Sequence, residues 1–237
     1  MLEIAAISTL IFILFPTFLW LKKRRFDYVL VIVFGDIERS PRMRYHCKSL
    51  VERGFHVDLI AYKGRSDTPV INPSNPCIIP LLQPPKLEYK NKFIYIIMGL
   101  LRVLKQFFRV VFIVLFSPSK PKFILIQNPP AIPTLLLAQT LSFLLYTPLI
   151  IDWHNFGYSI MALEHSPRHW IPQVAKWYEK VLGSRAYAHL TVTRAMGDEL
   201  KSWPVKGKIV TLYDKPPEQF KPMSLAEKAE VCLLESL

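Results

Sequence analysis

The chain alternates between short, wholly apolar runs and stretches with helical spacing. Tyr28 to Phe34 (YVLVIVF) is continuous, rich in β-branched residues and ends at Gly35 and Asp36, the pattern of a strand buried on both faces. Ser40 and Pro41 follow as an N-cap and a proline in the first helical position, predicting a helix through Arg53 that stops at Gly54. Further strands are predicted at 56–62, 77–82, 123–126, 149–151, 190–193 and 209–212. Helices are predicted from Pro133 to Leu145 and from Ile171 to Leu182. The second puts Trp170, Val174, Trp177 and Val181 on one face and closes at Gly183. Strand and helix alternating in this way form βαβ units, so the expected fold is α/β, a Rossmann-like parallel sheet with helices on both faces. In such sheets ligands bind beyond the carboxyl ends of the strands.

Two segments depart from the alternation. Leu2 to Leu21 is apolar apart from Glu3, and at ~1.5 Å per residue a helix there spans the ~30 Å hydrocarbon core. Lys22, Lys23, Arg24 and Arg25 follow the run and no A-x-A cleavage pattern does, which predicts a single-pass signal-anchor rather than a cleaved signal peptide. The positive-inside rule then puts the N-terminus in the lumen and the bulk of the chain in the cytosol. The second segment, Phe93 to Phe116, is apolar except for Arg102, Lys105, Gln106 and Arg109. Those four fall at i, i+3, i+4 and i+7, a polar stripe on an otherwise apolar helix. Such a helix either lies in a membrane interface among anionic headgroups or packs on a soluble core with its polar face wet.

Composition narrows the classes. With 237 residues, 51% of them apolar, 13% aromatic and 20% charged, the chain can bury one substantial core and is not disordered. The net charge of +12 calls for an anionic partner. Nucleic acid is disfavoured, because the basic residues follow apolar runs instead of interleaving with aromatic ones; membrane lipid fits better. Cys47, Cys77 and Cys232 are too scattered for a disulfide framework or a metal site. The dinucleotide, P-loop, zincin and nucleophile-elbow motifs are all missing, so no metal or cofactor is expected.

The loops at the strand ends supply the candidate chemistry. After the first strand, Gly35 permits close backbone approach, and the turn through Asp36, Ser40 and Arg42, with Arg44 beside it, offers a helix N-terminus suited to a phosphate or diphosphate, or else an ordinary strand-to-helix turn with a solvated arginine pair. After the fifth strand, Asp152, His154 and Asn155 crowd together, followed by Gly157 and Ser159. Asp152 or His154 is placed to deprotonate a sugar hydroxyl, or else to cap the loop; Asn155, Gly157 and Ser159 join the acceptor-binding candidates. His165 and His169 read as surface residues near a helix start.

FGDIERSPRMRYHCKSL (34–50), IIDWHNFGYSI (150–160) and LTVTRAMGDEL (190–200), with QNPPAIPTL and TLYDKP between and after them, closely resemble the chitobiosyldiphosphodolichol β-mannosyltransferases of the endoplasmic reticulum. The resemblance runs over roughly residues 1–216. It implies the N-terminal domain of a GT-B glycosyltransferase, inverting transfer of mannose from GDP-mannose to dolichyl-diphosphate-linked chitobiose, and a place on the cytosolic face of the membrane among other mannosyltransferases. It divides the chain into an anchor with its basic flank (1–25), a Rossmann-like acceptor-side domain (26–214) and a linker and tail (215–237), where Ser224 and Glu227 suggest a capping box. Family members are about twice as long and bind the nucleotide sugar in their C-terminal half, so a truncated form is expected. A non-catalytic membrane-bound module that binds the acceptor or scaffolds other mannosyltransferases is the alternative.

Overall fold

The computed structural model describes residues 27–62, 77–81, 92–166 and 168–216, with isolated positions at 224, 225 and 228. The predicted anchor over 1–25 and most of the tail lie outside them. Among the described residues, no helix is long and apolar enough to cross a membrane. The strands are β1 (Tyr28–Asp36), β2 (His56–Tyr62), β3 (Cys77–Leu81), β4 (Phe123–Asn128), β5 (Leu149–Trp153), β6 (Ala188–Thr191) and β7 (Lys208–Thr211). They form a seven-stranded sheet in the order β3-β2-β1-β4-β5-β6-β7, every neighbouring pair parallel. The helices are α1 (Pro41–Glu52), α2 (Lys92–Phe116), α3 (Thr134–Leu145), α4 (Gly157–Glu164), α5 (Trp170–Gly183) and α6 (Arg194–Lys201), with a 3-10 turn at Ile37–Arg39.

The two-residue period of β1 sorts its side chains onto opposite faces of the sheet. Val29, Val31 and Val33 pack with Met43 and Cys47 of α1. Leu30, Ile32 and Phe34 pack with Val110 and Val114 of α2 and with Leu137 and Leu141 of α3. Both faces are therefore covered, which is why the strand reads as a continuous apolar run. Burial pushes the Cys47 thiol up to about 12, leaving it an inert core residue.

Several boundaries differ from the sequence reading, each for a physical reason. β4 and β5 run two residues further, because Gln127, Asn128, Asp152 and Trp153 continue the ladder and each side chain makes at least one hydrogen bond there. Ser40 stands at the N-cap of α1 yet makes no side-chain cap bond; its hydroxyl donates to Gln127 Oε1 instead. β6 begins at Ala188, and Thr193 is not strand but the cap of α6, its hydroxyl accepting from the Met196 N–H at 3.2 Å. Gly54 does close α1's turn with a left-handed φ of 81°. Gly183 is there for another reason: a Cβ on it would meet the Trp153 ring at 2.7 Å.

The structure settles which helix faces meet the sheet. On α5 the apolar stripe Trp170, Val174, Trp177 and Val181 is exposed, while Pro172, Ala175, Glu179 and Gly183 face inward. On α2 the outward positions include the apolar Ile97, Leu101, Leu104, Phe108 and Phe112, beside the exposed Lys105 and Arg109. Its polar stripe lies on a flank, with Gln106 turned in to donate to the Tyr62 hydroxyl.

Candidate functional site

At the carboxyl end of the sheet, one buried carboxylate gathers three basic groups. Asp152, fully buried on β5, receives Arg42 Nε at 2.8 Å on Oδ2 and Arg42 Nη2 at 2.9 Å on Oδ1. His46 Nε2 lies 2.8 Å and His154 Nε2 3.1 Å from the same Oδ2. Arg42 and His46 are one helical turn apart on α1, so β5 presents the acid and α1 the fork and one imidazole. Burial alone would push the Asp152 carboxyl up; hydrogen bonds from His154, His46 and Arg42 outweigh it and hold the group well below the usual carboxylate range.

That geometry bears on two readings of the sequence. Arg42 is not an open cation for a phosphate: it is buried, and its remaining nitrogen, Nη1, donates to the Leu212 carbonyl at 2.6 Å and to Asp214 Oδ1 at 2.9 Å. Asp152, bonded on both oxygens and with its carboxyl held well below the usual range, is a weak proton acceptor.

The turn at Gly157 is likewise occupied. The buried Glu179 of α5 accepts from the N–H of Gly157 at 2.9 Å, from the N–H of Tyr158 at 3.2 Å and from Asn128 Nδ2 at 2.8 Å. An internal carboxylate thus caps the N-terminus of α4 where an anionic ligand would otherwise sit, and a Cβ on Gly157 would crowd Glu179 Oε1 at 3.2 Å. Burial raises the Glu179 carboxyl above its ordinary range, against the pull of those three bonds. Ser159 donates to the Phe156 carbonyl.

The other predicted residues fall around the rim. Asp36 caps the 3-10 turn, accepting from the Glu38 N–H at 3.0 Å. A Cβ on Gly35 would meet only Val33, at 3.9 Å, so the end of β1 is open to a close approach. Asn155 and Arg44 are exposed, and His169 caps α5 through the Ile171 N–H at 3.3 Å. A groove of about 190 Å³ opens between the Pro129–Ile132 loop and helices α4 and α5, lined by Pro130, Ile132, Tyr158, Ile160, Met161 and Tyr178 among others. No charged side chain lines it, so it suits an apolar group and not a diphosphate. Among the described residues, no cluster of His, Cys, Asp or Glu is arranged to hold a metal ion.

Sequence reasoning missed His46, Gln127, Asp214 and Glu179. Two of them left a signal. His46 lies four residues after Arg42, and Glu179 is an acid on the helix side opposite the Trp170–Trp177 stripe.

Comparison with known proteins adds to the geometry. The glycosyl transferase 4-like domain matches residues 40–213. The chain is 36% identical to the chitobiosyldiphosphodolichol beta-mannosyltransferase of Yarrowia lipolytica, across 93% of this chain and 50% of that protein. It is 36% identical to the Mus musculus protein of the same name, across 86% and 42%, and 37% identical to UDP-glycosyltransferase TURAN of Arabidopsis thaliana, across 85% and 43%. The chain thus spans about half the length of the curated relatives it matches. Among solved structures, Arabidopsis thaliana UGT89C1 complexed with quercetin superposes with a TM-score of 0.57 at 14% identity, over 89% of this chain and 55% of that one. That likeness is one of fold.

Proposed function

The chain belongs to the glycosyl transferase 4-like family, and we propose that it forms the acceptor-side domain of a GT-B enzyme that moves mannose from GDP-mannose onto dolichyl-diphosphate-linked chitobiose, with inversion at the transferred carbon. The observation that carries this reading is the 36% identity, over 93% of the chain, to a protein named for that transfer. The reading puts the protein at the endoplasmic reticulum membrane, anchored by the Leu2–Leu21 run, with Lys22–Arg25 and the domain on the cytosolic side and other mannosyltransferases as neighbours.

Attack by a sugar hydroxyl needs a base for its proton. His154 fills that role. In the tautomer that donates Nε2–H to Asp152, His154 keeps a lone pair on Nδ1, and the carboxylate balances the charge that proton uptake creates. Asp152 is then a positioning residue, as are Arg42 and Ser40. The acceptor approaches along the open end of β1 at Gly35 and Asp36 and past the exposed Asn155 and Ser159, while the Gly157 backbone shapes the turn from beneath.

The test separates binding from turnover. The purified chain in nanodiscs should bind dolichyl-diphosphate chitobiose in preference to dolichyl phosphate. The protein carrying these residues should pass labelled mannose from GDP-mannose to that acceptor, and His154→Ala should lower kcat by ~10²–10⁴ with KM little changed. Asp152→Asn should also lower kcat, and in addition destabilise the fold by up to about 3–5 kcal/mol, because Arg42 loses its buried counter-charge and keeps only the exposed Asp214. A chain that neither distinguishes the two lipids nor supports mannose transfer would overturn the reading.

A further inference from the structure

We infer that the outward face of the α2–α3–α5 layer is a membrane-docking surface that seats among the headgroups of an anionic bilayer, separately from the N-terminal apolar run. The surface is built by three adjacent helices, α2 packing beside α3 and α3 beside α5. Each turns large apolar side chains outward: Phe108 (64% exposed) and Phe112 (62%) on α2, Phe143 (72%) on α3, and Trp177 (64%) on α5. The inner sides of α2 and α3 carry buried core residues such as Val110, Val114, Leu137 and Leu141. The outward stripes are therefore additional to what the fold needs, and apolar surface this extensive marks an interaction site.

Charge identifies the occupant. From Tyr89 to Ile151 the sequence holds seven Lys or Arg and no Asp or Glu. Lys105 and Arg109 are exposed at the flank of the α2 stripe. An apolar ridge edged by cations, with Trp177, Trp170 and Tyr146 at its margins, matches the composition of a helix lying in a lipid interface. A partner protein would have to present an equally broad apolar face rimmed by acids, whereas an anionic bilayer offers both at once. Crossing the bilayer is excluded for α2, whose Arg102, Lys105 and Arg109 interrupt its middle, so the helix lies in the plane.

The chain path supports the same side. The Lys122 N–H, just beyond α2 and its following turn, donates to the Tyr28 carbonyl at 2.7 Å, and Val29 pairs with Phe123. The segment that arrives from Leu2–Leu21 and Lys22–Arg25 thus enters the domain beside the C-terminal end of α2. Asp152, bonded to α1, and α1 itself lie on the opposite face of the sheet from this surface.

The experiment uses the full chain in vesicles containing a phospholipid with a photoactivatable acyl chain, read by peptide mapping. In phosphatidylcholine mixed with phosphatidylserine, lipid adducts should appear on peptides carrying Phe108, Phe112 and Trp177 as well as on residues 1–26, and should fall several-fold on α2 in phosphatidylcholine alone. Lys105→Glu combined with Arg109→Glu should lower α2 labelling to a similar extent while labelling of 1–26 and the thermal unfolding midpoint stay unchanged. Adducts confined to residues 1–26 would overturn the proposal, as would cross-linking of α2 to a second copy of the chain in place of lipid. Labelling requires no sugar transfer, so this surface and the proposed activity stand or fall separately.

Discussion

His189 shows how one residue writes itself into the pH dependence of the fold. It is fully buried on β6 and accepts the Trp153 Nε1–H on Nδ1 at 3.2 Å, while its Nε2 has no partner. Burial pushes its pKa from 6.5 down to about 4. The unfolded chain takes up this proton near pH 6.5 and the folded chain only near 4, so between those values the unfolded state binds more protons. The stability His189 permits is complete above about pH 6.5 and is lost progressively toward pH 4, by about 3 kcal/mol in all. Glu179, whose carboxyl is raised by burial, contributes the opposite slope above the ordinary carboxylate range. The histidine is therefore isolated by comparison with His189→Gln, whose side-chain oxygen can still accept from Trp153. Urea unfolding from pH about 7 to about 4.5 should show a shallower loss of stability in the variant; parallel pH profiles would show that the imidazole is not the source. The same logic sets the limit of sequence reading at the site. Asp152 and His154 were legible as polar residues at a strand end. What the carboxylate does depends on Arg42 and His46, whose side chains reach it only after α1 folds across β5.

Elements were legible where one rule dominates. The strands β1, β2 and β3, the helices α1, α2 and α3 and the parallel pairing of the strands follow from unbroken apolar runs and clear stops. The eight-residue helices α4 and α6 were missed, because α4 takes its N-terminal bonds from Glu179, distant in sequence, and α6 opens at a threonine that continues a strand-like run. α5 was found and its apolar stripe identified, but the spacing of Trp170, Val174, Trp177 and Val181 gives amphipathicity without saying which stripe meets the sheet. The inward stripe is chosen by close approach at Gly183. A Cβ there would stand 2.7 Å from the Trp153 ring, which is itself held by Phe156 and Trp203 at centroid distances of 5.5 and 5.7 Å. Gly183→Ala should accordingly cost about 1–3 kcal/mol through overpacking. Gly99→Ala on α2, with nothing within 4 Å of the new methyl, should instead stabilise by about 0.5–1 kcal/mol through helix propensity. Denaturant midpoints of the two variants decide it, and equal effects of the same sign would show that the Trp153 contact does not govern the helix.

At the scale of the molecule, Arg42 joins parts of the chain far apart in sequence. Its guanidinium reaches Asp152 on β5, the Leu212 carbonyl just past β7, and Asp214, separations of 110, 170 and 172 residues. The strand order places β7 at one edge of the sheet and β1, which leads into α1, near its middle. The arginine therefore holds the segment leaving the sheet against the carboxyl end where the candidate site lies. Leu212 is otherwise fastened by its N–H to the Thr191 carbonyl at 2.8 Å. Lysine at position 42 would keep a positive charge near Asp152 but cannot span three acceptors with one flexible ammonium. Losing the charged bonds to Leu212 and Asp214, at about 1.5–3 kcal/mol each, should let residues 212–214 open locally without unfolding the sheet. In Arg42→Lys, hydrogen exchange at the Leu212 amide should accelerate by roughly 10–100-fold more than at Ile60 in the middle of β2, whose exchange follows global unfolding. Equal acceleration at both amides would show that Arg42 stabilises the domain as a whole and does not latch its exit segment. The local outcome would mean that a ligand disturbing the Arg42–Asp152 pair changes the freedom of whatever the chain carries beyond residue 214, coupling the site to that segment through a single side chain.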